Sequence, residues 1–84
     1  MNYTEKPTPQ EIREENKKIR MLRLMVDLTL SLIYQGDMTR EEATEHFLRV
    51  KRFALSLFPG KEREFEIIYA HKFKRVITQV FGQH

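Results

Sequence analysis

Gln35-Gly36-Asp37-Met38-Thr39-Arg40-Glu41-Glu42 decides the fold, because it ends one helix and starts another within eight residues. Gly36 supplies the left-handed position at which helices commonly stop. Thr39 and Glu42 then form a capping box: the threonine hydroxyl accepts from the backbone N–H three residues on, and the glutamate reaches back to the threonine N–H. With only Gly36 to Met38 between them, the two helices must run roughly antiparallel.

Upstream, nothing breaks a helix before Thr8-Pro9, where a threonine cap precedes a proline at the first helical position. Glu11 falls in the first turn, where a carboxylate suits the positive end of the helix dipole. Downstream, Ala43, Phe47, Val50, Ala54 and Leu57 recur at spacings of three and four, with Phe53 and Phe58 beside them, until Pro59-Gly60 makes a turn. Phe65, Ile68, Tyr69, Phe73, Val76, Ile77 and Val80 carry the same periodicity to Gly82. The reading is an all-α three-helix bundle, up-down-up, with helices over about 9–35, 40–57 and 61–81. Residues 1–8 read as a disordered arm and 9–84 as a single helical domain.

Bulk properties limit what such a chain does. Its 84 residues hide only about 60–65% of the surface the unfolded chain exposes, so the core is small and a partner subunit would help. Forty per cent hydrophobic residues and nine aromatics nonetheless exceed what a disordered chain carries. Cysteine is absent, which excludes disulfides, thiolate metal sites and a cysteine nucleophile. Together with a polar N-terminus lacking a signal region, that reads as cytoplasmic. The apolar-rich stretch from Met21 to Tyr34 is too short and too charged to span a bilayer, so no membrane partner is expected.

The first helix is the anomaly. At 1.5 Å per residue it extends about 40 Å, while the other two reach about 27–32 Å, so either its first turns overhang or something else covers them. One stripe holds Ile12, Ile19, Leu22, Val26, Leu30 and Ile33; a second holds Met21, Leu24, Met25, Leu28 and Leu32. A bundle helix needs one stripe slightly over 100° wide, and this one has more. Two explanations compete: a wide face buried between helices two and three, or one stripe for the bundle and the other for a partner. The second is favoured, most simply as a homodimer through Met21, Leu24, Met25, Leu28 and Leu32, or with another helical protein. The seven-residue recurrence of Ile12, Ile19, Val26 and Ile33 does not make a long coiled coil, since Glu15 and Thr29 interrupt the seam.

No constellation of residues points to catalysis, to a metal or to a cofactor. His46 has Glu42 one turn away and Glu45 beside it, but no second pair to complete a site. His71 lies next to Lys72, and His84 is the last residue. Ser31 and Ser56 sit in apolar helical stretches rather than in a glycine-flanked elbow. Three glycines, all at helix ends, leave no phosphate-cradling loop. Carboxylates such as Glu14 have basic partners a turn away, here Lys18, as solvated helix faces do.

The net charge of +3 is mildly basic. Its clusters give the alternative reading: a nucleic-acid-binding accessory protein using Arg49, Arg52, Lys72, Lys74 and Arg75. A helix-turn-helix is disfavoured, because the third helix opens with Lys61-Glu62-Arg63-Glu64, whose carboxylates would face phosphates. Tyr69 and Phe73 could stack on bases. Their alignment with Phe65, Val76 and Val80 assigns them to the core, and Tyr34 and Tyr69 are expected to bury the ring with the hydroxyl at the rim.

Overall fold

The computed structural model describes residues 6–82. Helix α1 spans Pro9–Gln35, with Thr8 as its cap. Thr8 and Glu11 form a reciprocal box: the Glu11 N–H donates to the Thr8 hydroxyl at 3.1 Å, and the Thr8 N–H donates to the Glu11 carboxylate at 2.7 Å. Gly36 ends α1 at φ 73°, its N–H bonded to the Ile33 carbonyl at 3.0 Å. Helix α2 spans Arg40–Leu57 behind the matching Thr39–Glu42 box, with bonds of 3.1 and 2.8 Å. The reversal at Phe58, Pro59 and Gly60 uses a second left-handed glycine, Gly60 at φ 80°. The all-α, three-helix architecture with a long first helix is thus as its boundary signals specify. The arm read over 1–8 falls mostly outside the described residues, as does His84.

Helix α3, residues 62–81, departs from a regular helix. An α-turn over Glu62–Phe65 leads into a π-helical segment at Glu66–Ala70, and regular α-helix resumes over His71–Phe81. Phe65 and Phe73 are eight residues apart on this helix, and both are buried. Both rings reach Phe47 on α2, at centroid separations of 6.0 Å and 5.1 Å. Ile67 and Ile68 face outward; Ile68, expected in the core, is 49% exposed.

The core runs as a single column. Leu22, Val26 and Ile33 of α1 meet Ala43, Val50 and Ala54 of α2 and Phe65, Phe73, Val76 and Ile77 of α3. Ile19, Leu30, Phe47, Phe53, Tyr69 and Val80 are half-buried around it. Thr29 is the one buried polar residue named with this core, and among the described residues no buried side-chain nitrogen or oxygen lacks a partner.

Helices α1 and α3 run parallel, and their C-terminal ends are tied together. The Tyr34 hydroxyl donates to the Gln79 side-chain oxygen at 3.0 Å, which holds the Tyr34 ring at the surface rather than buried as expected. Arg40 donates to the Gly82 carbonyl at 2.7 Å, fixing the start of α2 to the end of α3. At the other end, residues 9–17 of α1 are exposed throughout, Ile12 included, so these turns project past the bundle. The molecule measures 52 × 20 × 16 Å, elongated along α1. No helix among the described residues is long and apolar enough to cross a membrane.

Candidate interaction surface

The core stripe of α1 fixes where its other faces point. Leu22, Val26, Thr29 and Ile33 are buried and define the inward direction. At 100° per residue, Met21, Met25, Leu28 and Leu32 lie about 70–130° to one side of that direction, and Leu24 lies nearly opposite it. All five are exposed, from 38% at Met25 to 59% at Leu24. The wide apolar girdle is therefore split: one stripe is used by the bundle, and the other is left in solvent. Five such side chains present on the order of 400 Å² of apolar surface, at the scale of the largest patch a monomer usually carries.

Neighbouring contacts show which flank this is. Tyr34, bonded to Gln79, and Arg23, which lines a groove with Ile68 and Tyr69, mark the side of α1 that faces α3. The exposed stripe occupies the opposite flank, beside α2. Its ends differ in charge. Lys17 and Lys18 precede it on α1, Lys17 exposed and Lys18 half-buried, with the exposed carboxylate of Glu14 one turn earlier on the same flank. Beyond its C-terminal end lies the α1–α2 corner, a shallow concavity of Asp37, Met38, Glu41, Glu42, Glu45, His46 and Arg49. An apolar strip with a basic end and an acidic end has the polarity of a surface that fits its own inverted copy.

The basic residues singled out for nucleic acid are all exposed but do not converge. Lys72 and Lys74 lie on opposite flanks of α3: the Lys72 ammonium sits 5.9 Å from the centroid of the Tyr69 ring, while Lys74 lines the groove against Arg40 and Thr44 of α2. Arg75, three residues after Lys72 in regular α-helix, shares its side of α3. Arg49 lies among the carboxylates of the α1–α2 corner, and Arg52 projects from the outer face of α2. Tyr69 and Phe73 stay with the core, the former half-buried and the latter 1% exposed.

Two features escape a reading by periodicity. An apolar groove of about 340 Å³ opens between α1 and the α2–α3 turn, walled by Ile19, Leu22, Leu55, Phe58, Ile68 and Tyr69. Leu48 and Ile67 are exposed on α2 and α3. His46 is half-buried in the acidic corner and His71 exposed on α3. Among the described residues no three His, Asp or Glu side chains are grouped to hold a metal ion. No family model, curated protein or solved structure matches this chain.

Proposed function

We propose that this protein is a small helical interaction module that acts by self-association through α1. One observation carries the reading: Met21, Leu24, Met25, Leu28 and Leu32 form a continuous stripe along three turns of a well-capped helix, and each stays 38–59% exposed. Fully burying a leucine-sized side chain is worth about 1.5–3 kcal/mol, so a half-exposed stripe of five leaves several kcal/mol available to a partner. A second copy is the simplest partner, since a two-fold axis lets one stripe serve both subunits. The cysteine-free composition suits a cytoplasmic setting.

Sedimentation analysis of the wild type and of Met25→Glu/Leu28→Glu tests this directly. Dimers at micromolar concentration are expected for the wild type and monomers for the variant. Because both side chains point to solvent in the single chain, the variant should keep the wild-type helical content. A monomeric wild type would remove the proposal. The alternative, nucleic-acid binding through Arg49, Arg52, Lys72, Lys74 and Arg75, has less support, because those side chains are distributed around two helices instead of forming one phosphate-tracking face.

A further inference from the structure

We infer that the two α1 helices of the dimer pack antiparallel about a two-fold axis centred between Met25 and Leu28, with Lys17 and Lys18 of each subunit against the acidic α1–α2 corner of the other. This rests on the self-association reading above and specifies its partner geometry. In that register Met21 meets the partner's Leu32, and Met25 meets the partner's Leu28. Met21, Met25, Leu28 and Leu32 are then each matched by another apolar side chain, and Leu24, nearly opposite the core, lies at the margin of the contact.

Charge selects this arrangement over a parallel one. A parallel two-fold would lay Lys17 and Lys18 beside the same two lysines, and Glu42 and Asp37 beside the same carboxylates. Like charges at close quarters oppose association. Inversion places the basic end of each stripe beside the acidic end of the other. Area points the same way. The apolar stripe supplies on the order of 400 Å² per subunit, about half of what a standard stable interface buries on each side. The remainder must come from the polar ends, and they add favourable contact only when inverted. The first turns of α1, from Pro9 to about Asn16, overshoot the partner's corner and stay in solvent, which agrees with their lack of any apolar stripe.

The chain has no cysteine, so single-cysteine variants report without background. Spin labels at Gln35→Cys or Asn16→Cys, both exposed positions outside the charge pairs, give the intersubunit distance by pulsed electron resonance. Antiparallel packing separates like labels by about 25–32 Å along the axis at 1.5 Å per residue. In mixed dimers it brings the position-16 and position-35 labels to about 10 Å, near the helix–helix spacing. A short Gln35-to-Gln35 distance would overturn the inferred geometry while leaving self-association intact. Absence of any intersubunit distance, in a wild type that sediments as a monomer, would overturn both. As an independent arm, Lys17→Glu/Lys18→Glu is expected to weaken the dimer about tenfold, and Asp37→Lys in that background to recover part of the loss. An unchanged dissociation constant for both variants would also overturn the inferred geometry.

Discussion

The rings of Phe47 and Phe73 stand 5.1 Å apart with their planes inclined at 49°, a tilted aromatic contact at the centre of the bundle. Such pairs contribute about 0.5–1.5 kcal/mol beyond the area they bury. Phe47→Leu and Phe73→Leu should each destabilise the fold. Denaturant titration of the double variant should show a loss smaller than the sum by about that amount, since the second substitution has no ring left to lose. Strict additivity would mean that the two rings do not interact.

The π segment predicts an unusual tolerance. Removing Ile67 takes out one residue where the helix already carries one too many, so Glu66–Ala70 should close into regular α-helix with Phe65 and Phe73 still facing Phe47. A small loss of stability is expected, about 1 kcal/mol or less. Deleting Arg75 instead rotates Val76 to Phe81 by about 100° and breaks the Tyr34–Gln79 and Arg40–Gly82 bonds. Thermal unfolding should rank the first deletion well above the second.

Identical capping boxes open α1 and α2, yet their removal should differ in effect. Thr39 starts a helix whose first turns already hold Ala43, fully buried. Thr39→Ala should cost about 1 kcal/mol of global stability. Thr8 starts turns that project into solvent, and their fraying need not unfold the core. Thr8→Ala should therefore speed amide exchange over residues 9–17 and leave the denaturation midpoint nearly unchanged. Equal global losses would contradict the independence of the projecting turns.

At Gly36 the backbone, rather than space, sets the cost of substitution. A Cβ there would lie 3.5 Å from a Val80 methyl, an ordinary contact, but φ is +73°. Gly36→Ala should destabilise by about 1–2 kcal/mol, the penalty of the left-handed conformation for a side-chain-bearing residue. Gly36→Asn should lose less, because asparagine tolerates that region better. If alanine and asparagine were equally damaging, crowding against Val80 would be the cause instead.

Dispersed basic residues predict weak, unspecific contact with nucleic acid. Fluorescence anisotropy with mixed RNA and duplex DNA should show little binding at 0.15 M salt and at most a shallow salt dependence. A protein neutralising six or more phosphates loses about three decades of affinity or more between 50 and 200 mM salt. A slope of that size would restore the nucleic-acid reading and direct attention to Arg49, Arg52, Lys72, Lys74 and Arg75.

The chain's local chemistry determined its helix boundaries. Thr8-Pro9, Gly36, the Thr39–Glu42 box and Pro59-Gly60 each act through neighbours within a few residues, and such signals are complete in the sequence. The second apolar stripe of α1 was legible for the same reason, because helical periodicity alone puts Met21, Leu24, Met25, Leu28 and Leu32 on the surface away from Leu22, Val26 and Ile33. Periodicity could not say which stripe the bundle would use. That depended on where α2 and α3 came to rest, and so did the outward turn of Ile68, the surface position of Tyr34 and the scattering of the basic residues. The π segment is the clearest case: the apolar residues of α3 keep ordinary helical spacing, and nothing in that spacing announces the wider turn at Glu66–Ala70. Contacts within a turn are encoded where they act, whereas the choice of face depends on all three helices at once.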